Sequence, residues 1–426
     1  MSQETKLTIP YSQASQTVTI AAKYAVTVAT PPEPIVAAGD AVAAVEQALK
    51  HPIGSLPINQ LVRAGQKVAI VVSDFTRPTP SGLILGPVLA ELASIGITKQ
   101  NITIVIACGL HVPSPLKNQE IMLGKEILAE YRVVNHLADD TEGMKYVGTT
   151  SGGIPVKINR IVAEADLSIS IGAVDPHHWA GFSGGGKNLL PGVSSRETVN
   201  AHHILLMDPH TGVGQLEGNK FRGQLEEAAR LANFNFIINV VMSPDKKIAF
   251  VAAGDVIKAH RACTDYAASK LQVTIAKQAD IVIASPGGFP RDSTFWQTDG
   301  KCVSPIAPVI RDGGVAIIVS RCDKGFGDEE FANLLGTKTF SELADSLQQG
   351  PFSTALAKAY NFARLAQRVQ IYLVAEEISG EQFQSIPVKS FTSLADAVAA
   401  ALAGKETANI LAVPDSASIV LKLAEQ

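Results

Sequence analysis

Short apolar runs that end abruptly in polar, turn-forming residues recur along this chain, and helical patterns stand between them. That alternation constrains the fold more than any other feature. Val68–Ser73, Ile102–Ala107, Arg132–His136 and Leu167–Val174 read as strands, and helical patterns near 81–95 and 117–130 separate the first three. Strands that alternate with helices build a mostly parallel sheet covered by helices, because each crossover returns the chain to the same end of the sheet. Residues 16–29 predict an opening strand or hairpin, residues 144–160 an inserted hairpin, and residues 194–232 a helix-rich stretch. The apolar runs Phe234–Val241 and Lys246–Asp255 flank the turn tripeptide Ser243-Pro244-Asp245, which predicts a second hairpin. A new alternating set starts at Val273, with strands at Ile281–Ala284, Val315–Ser320, Arg368–Val374 and Asn409–Val413 and a clear helix at Leu394–Ala403. At 426 residues the chain is long for one core. The expectation is therefore α/β, with two α/β domains of mostly parallel sheets, residues 1–268 and 269–426, and a boundary near 265–273.

Composition excludes several partners. A net charge of −4 gives no basic footprint for nucleic acid or an anionic membrane. No apolar run reaches the length that a bilayer demands. The opening MSQETKLTIPYSQ lacks the basic start and apolar core of a signal peptide, so a cytoplasmic location is expected. Cys108, Cys263, Cys302 and Cys322 form no C-x-x-C pair and read as small packed thiols rather than a zinc site or disulfide framework.

The strand ends carry the chemistry. Ligands of open α/β sheets bind outside the carboxyl ends of the strands. Val68–Ser73 runs into Asp74-Phe75-Thr76-Arg77, Ile102–Ala107 into Cys108-Gly109-Leu110-His111, and Leu167–Val174 into Asp175-Pro176-His177-His178. If these strands are parallel neighbours, one carboxylate, one guanidinium and two imidazoles converge on one rim. Five of the nine histidines fall within 177–210, namely His177, His178, His202, His203 and His210. Imidazole is both a proton carrier near neutral pH and a common metal ligand. Between them lies Gly181-Phe182-Ser183-Gly184-Gly185-Gly186-Lys187-Asn188. It matches G-x-x-x-x-G-K, but Asn188 replaces the hydroxyl residue that holds magnesium, and the preceding strand ends too early for a phosphate-cradling loop. Consecutive glycines still free backbone N–H groups to surround an anion, and they leave Lys187 unshielded. An ATP-dependent phosphotransferase built on residues 181–188 is the competing reading.

The segment DPHHWAGFSGGGKNLLPG, with SDFTRP and CGLH upstream and SPGGFPRD downstream, resembles the nickel-dependent lactate racemase family over nearly the whole chain. The resemblance implies an active site in the cleft between two α/β domains. It implies a nickel-pincer nucleotide (pyridinium-3,5-bisthiocarboxylic acid mononucleotide with nickel) and transient contact with the enzymes that make it. It implies racemisation or epimerisation of a 2-hydroxy acid by reversible hydride transfer to the pyridinium ring. Residue by residue, Lys187 matches the cofactor-attaching lysine, His111 and His177 the catalytic acid/base pair, one for each enantiomer's hydroxyl, and His203 the nickel ligand, with His202 as its neighbour. Asp74, Phe75, Thr76 and Arg77 match a loop that touches the cofactor, where Gly184 and Gly185 are also expected. Arg77, Gln297 and Lys301 match substrate-binding positions. A family member that only stores the cofactor would not need His111 and His177.

Two positions depart from the family pattern. Gly186 stands where an arginine usually precedes the lysine, which leaves covalent and ionic attachment of the cofactor both open. Phe295-Trp296-Gln297 is followed by Lys301 one residue later than in the family, so Lys301 carries over only where the backbone absorbs the extra residue. His178, Trp179, Arg291, Thr298 and Asp299 put polar groups near the expected pocket, which favours a 2-hydroxy acid larger or more polar than lactate beside lactate itself.

Overall fold

The strand Val68–Ser73 is buried at all six positions, as a run flanked on both faces by helices must be. The computed structural model describes residues 4–424 and places this strand inside a six-stranded sheet. The spatial order is Ile248–Gly254, Phe236–Met242, Leu167–Ala173, Val68–Ser73, Ile102–Ala107, Arg132–Asn135. All neighbours are parallel except the hairpin pair at the Ile248–Gly254 edge. The chain builds this sheet outward in one direction from Val68–Ser73 and then reverses, adding Leu167–Ala173 on the other side, which is the doubly wound arrangement. The condition set by the sequence is met: the strands that lead to Asp74, His111 and His177 are adjacent and parallel. On one face of the sheet Ile70, Ile104, Ile169 and Ile238 share a core with the helix residues Ile84, Leu85 and Val88.

The expected helix over 117–130 is two helices, Leu116–Leu123 and Lys125–Glu130. Gly124 separates them at φ 90, a conformation that ends one helix because side-chain-bearing residues resist it. The stretch over 194–232 resolves into Arg196–His203 and Lys220–Leu231. Ser195 caps the first through its hydroxyl, which accepts from Thr198 N, and Asn219 caps the second by accepting from Arg222 N. The hairpin over 144–160 forms as Met144–Thr149 with Pro155–Asn159.

The chain divides into two compact units, but not by one cut. The first unit is Pro34–Thr211 with Gln215–Lys270. The second is the segment up to Glu33, Gly212–Gly214, and Leu271 onward. The expected assignment of the whole stretch up to 268 to one domain is therefore corrected at its start. Ala14–Ile20 pairs with Thr5–Tyr11, and Ala25–Val28 pairs in parallel with Asn409–Val413. Strand pairing is non-local, so sequence order alone does not reveal this return. The helix Lys258–Leu271 runs through much of the expected boundary.

The second unit holds an all-parallel sheet in the order Val388–Phe391, Gln370–Val374, Ile310–Val319, Ala279–Ala284, Asn409–Val413, Ala25–Val28. Leu394 and Val398 of the helix Leu394–Leu402 pack with Ile9 and Ile20 of the opening hairpin in its core. All four cysteines are buried and free, and burial pushes the thiols of Cys263, Cys302 and Cys322 up to about 12. Among the described residues no helix is long and apolar enough to cross a membrane.

Candidate active site

In a doubly wound sheet the crevice for ligands opens where strand order reverses, at the carboxyl ends. Here that point lies between Val68–Ser73 and Leu167–Ala173. Asn188 ties the two ends together: its amide donates to Ser170 Oγ at 3.1 Å and to Ile171 O at 2.8 Å, and its Oδ1 accepts from Ser73 Oγ at 3.3 Å. The residue that spoils the nucleotide-loop motif is thus a strut across the switch point.

Asp74 leaves the first of these strands and is 2% exposed. Its Oδ2 meets His111 Nδ1 at 2.5 Å, while Oδ1 accepts from Thr76 N at 3.1 Å and Thr76 Oγ1 at 2.6 Å. Burial opposes ionisation, yet the hydrogen bonds from His111 and Thr76 and the charges of His111 and Arg77 hold this carboxyl below its ordinary value. The ionised carboxylate places the His111 proton on Nδ1 and leaves Nε2 as the basic nitrogen of a half-exposed ring. Asp74, expected to touch a cofactor, is here bonded to His111. Phe75 N donates to Ser114 Oγ at 3.4 Å, and the exposed Arg77 closes the turn through Arg77 N to Asp74 O at 3.1 Å.

His177 lies beyond the end of the second strand. Its Nδ1 accepts from Trp179 N at 3.1 Å and Ala180 N at 3.2 Å, and its Nε2 lies 2.9 Å from Lys187 Nζ. Two amides aimed at Nδ1 put the ring proton on Nε2, which then donates to the lysine amine. That bond requires an uncharged amine. Burial, followed by the charges of Arg77 and Arg222, pushes Lys187 well below its ordinary value. Burial, followed by Lys187 and His178, does the same to His177. The hydrogen-bond geometry and the direction of both shifts favour the uncharged forms of the imidazole and the amine.

His202 and His203 end the helix Arg196–His203, and both are buried. His202 Nε2 donates to Phe221 O at 2.8 Å, and its ring lies 4.1 Å from that of Phe221. His203 Nδ1 donates to Val199 O at 2.9 Å, which leaves Nε2 as the nitrogen with a lone pair. A ligating histidine characteristically donates its other ring N–H to a carbonyl in this way. Burial keeps both rings neutral, His202 down to about 3 and His203 well below the ordinary value.

The glycine run does not form a phosphate cradle. Gly185–Asn188 is a four-residue 3-10 turn, and the next α-helix begins only at Arg196. Gly185 N is already donated to Asn239 Oδ1 at 2.7 Å. A Cβ on Gly184 would meet Asn239 Oδ1 and Val174 at 2.7 Å, and one on Gly186 would meet Leu225 at 3.1 Å and Ala229 at 3.2 Å. The glycines serve close packing, and the phosphotransferase reading loses its basis.

In the second unit, Lys301 Nζ donates to Gln297 Oε1 at 2.6 Å. The extra residue is absorbed by a π-turn over Asp299–Val303, the form that accommodates a one-residue insertion in a helix. Burial, followed by Arg291 and Lys358, pulls the Lys301 ammonium down to about 8. The polar side chains expected to line a pocket are largely spent internally. Arg291 binds Asp415 at 2.9 Å and Ser418 at 2.8 Å, the Thr298 hydroxyl donates to Phe295 O at 2.7 Å, and Asp299 is fully buried with its carboxyl pushed up to about 7 by that burial.

Sequence reasoning missed the buried polar side chains beneath residues 179–185. Asn219 Nδ2 donates to Trp179 O at 2.7 Å and His260 Nε2 to Ser183 O at 2.8 Å. Arg222, 1% exposed, donates to Ala180 O at 3.0 Å, to Gly184 O at 3.4 Å and to Phe182 O. A signal for Arg222 exists: it shares the spacing of Leu225, Ala228 and Ala229 on the buried face of its helix.

These features define a two-unit α/β protein with a histidine and lysine site at a sheet switch point. The Lactate racemase N-terminal domain family model matches residues 11–214, and the Lactate racemase C-terminal domain model matches 274–421. A lactate racemase of Lactiplantibacillus plantarum is 31% identical over 385 residues, 89% of this chain and 90% of that one. A lactate racemase of Thermoanaerobacterium thermosaccharolyticum is 35% identical over 289 residues, 67% of each chain. The solved lactate racemase apoprotein from Thermoanaerobacterium thermosaccharolyticum matches with a TM-score of 0.85 at 28% identity, over 98% of this chain and 100% of the other. A crystal structure from Thermotoga maritima shares the fold at a TM-score of 0.62 and 16% identity, over 93% of this chain and 100% of the other. The chain belongs to the lactate racemase family.

Proposed function

We propose that this protein racemises a 2-hydroxy acid, lactate first, in the cytoplasm, with a nickel-pincer nucleotide supplied by its synthesis enzymes. The observation that carries the reading is the unequal pair of histidines at the switch point, one set as a base by Asp74 and one set as an N–H donor beside Lys187.

The residues fit such a cofactor. Lys187 is a neutral amine by its partner and its surroundings, suited to attach a carbonyl-type carbon or to lie against the ring. His203 offers Nε2 with its tautomer fixed by Val199. His203 would hold a nickel ion through Nε2, and the cofactor would supply the soft sulfur donors that suit nickel. Gly186 puts no side-chain charge beside Lys187, and the attachment we propose is covalent or non-covalent.

When bound, the pyridinium ring supplies a reversible hydride acceptor for carbon 2 of the substrate. Arg77, exposed beside Asp74, pairs with the substrate carboxylate. His111 Nε2 takes the hydroxyl proton, and Asp74 balances the charge that then develops on the ring. His177 presents Nε2–H to the oxygen, as a neutral imidazole does when it stabilises a forming carbonyl or alkoxide. Arg291 and the Thr298 hydroxyl are bonded internally and Asp299 is fully buried, so lactate stands first among the candidate 2-hydroxy acids.

The test is a panel of enantiopure 2-hydroxy acids, lactate included, incubated in D₂O with enzyme produced alongside the cofactor-synthesis enzymes and then resolved by chiral separation. Inversion of lactate with protium largely retained at carbon 2 is expected. Complete deuterium incorporation from the first turnover would refute hydride shuttling, and no inversion by nickel-loaded protein would refute the racemase reading.

A further inference from the structure

Within residues 179–185 only the two-residue strand Gly181–Phe182, paired with Pro176–His177, and the first residue of the 3-10 turn at Gly185 are regular, yet most of this segment is buried. Its backbone polar groups must find partners inside the protein. Arg222 supplies three of them from a single side chain, through the carbonyls of Ala180, Phe182 and Gly184. His177 stands just before this segment and Lys187 just after it. We propose that Arg222 is the positioning residue of this site: its planar fork fixes the segment so that His177 Nε2 and Lys187 Nζ meet.

A guanidinium suits this task because it holds several donors in one rigid plane. A lysine at the same position would keep the charge without the fork. The charge is only partly balanced. Glu226 lies 3.9 Å from Arg222 and is shared with Arg261 at 3.3 Å, so two guanidiniums face one carboxylate. The titratable and charged groups facing Lys187 are His177, Arg77 and Arg222, with His202 and His203 on the neighbouring helix. None of these is a carboxylate. Arg77 is exposed, and solvent screens its charge; Arg222 is enclosed, and its charge acts through protein. Both push the amine the same way, and burial pushes it furthest.

The inference rests on the reading above, because Lys187 is its cofactor residue. Its test uses protein free of cofactor and no turnover, so it stands or falls separately from the racemase assignment. The full chain and its Arg222→Met and Arg222→Lys variants are acetylated with limiting acetic anhydride over a range of pH. Labelling at Lys187 is read by peptide mass spectrometry against the exposed lysines of the same chain. Amide hydrogen exchange over 179–187 is measured in parallel. The parent should label Lys187 at a midpoint below the exposed lysines. Arg222→Met should raise that midpoint and speed exchange in the segment. Arg222→Lys should speed exchange while the midpoint stays low. A parent midpoint no lower than the exposed lysines, or an unmoved midpoint in folded Arg222→Met, overturns the electrostatic role. Unchanged exchange over 179–187 in Arg222→Lys overturns the positioning role, and that result is available even if Arg222→Met does not fold.

Discussion

Replacing Asp74 by Asn changes no heavy-atom count, yet it should disable His111. The reason lies in which groups surround the carboxylate. Thr76 N points at Oδ1 from 3.1 Å and can only donate. The asparagine oxygen must therefore take the Oδ1 position, and its NH₂ then faces His111 Nδ1. A donor at that place forces Nδ1 to accept, so the ring proton moves to Nε2, and the nitrogen that should receive the hydroxyl proton already carries one. A positioned general base is worth roughly 10²–10⁴-fold in rate, which is about 3–5 kcal/mol of barrier. The assay is the initial rate of racemisation from each enantiomer of lactate, normalised to nickel content per chain. Enantiomers are equal in free energy, so kcat/KM must fall by the same factor in both directions. Long-range ¹⁵N correlation of His111 in cofactor-free protein checks the cause directly, with Nδ1–H expected in the parent and Nε2–H in the variant. An Asp74→Asn enzyme that keeps kcat/KM within about threefold of the parent, at equal nickel occupancy, refutes the reasoning.

His203→Ala should strip nickel from protein produced with the cofactor-synthesis enzymes while the chain stays folded, whereas His202→Ala should keep nickel per folded chain but cost roughly 2–4 kcal/mol of stability, as its buried hydrogen bond and ring contact are lost. Elemental analysis and thermal melting separate the two, and equal nickel loss in both variants would remove the distinction. The buried His136 is pulled from its ordinary 6.5 down to about 4 by burial. The unfolded chain therefore binds a proton first as pH falls, and stability is lost between about 6.5 and 4, by roughly 3 kcal/mol in total from this ring. His136→Gln should flatten that part of the melting temperature against pH profile, and an unaltered slope would exclude His136 as its source.

The strands that matter most for the site were legible because each is a continuous apolar run cut off by turn-forming residues. Val68–Ser73 and Ile102–Ala107 have the bounds expected from sequence. Val388–Phe391 escaped notice because a lysine interrupts its four residues, and the helix Lys258–Leu271 because its polar and apolar residues give a weak period. Ala25–Val28 looked like part of the first domain since nothing local says that it will pair with a strand near the other end of the chain. The candidate histidines and lysine were legible as residue types at strand ends. Their protonation was not, because it depends on partners far along the chain. Asp74 is 37 residues from His111, and their pairing exists only once two parallel strands bring their ends together.

The glycine run shows why a local motif can point to the wrong chemistry. A phosphate cradle works through unpaired N–H groups at the start of a helix, so its meaning resides in the element that comes after the glycines. Here that element is a 3-10 turn, Gly185 N is taken by Asn239, and Gly186 is pressed against Leu225 and Ala229. The same glycines that would expose backbone to a phosphate instead let a helix approach closely enough to bury Arg222 beneath the segment. Burial then has two effects with one cause. It forces the segment's carbonyls onto internal donors, and it withdraws solvent from Lys187 and His177, which favours their neutral forms. A lysine meant to act as a nucleophile needs such surroundings, and a lysine meant to hold a phosphate by its charge needs the opposite.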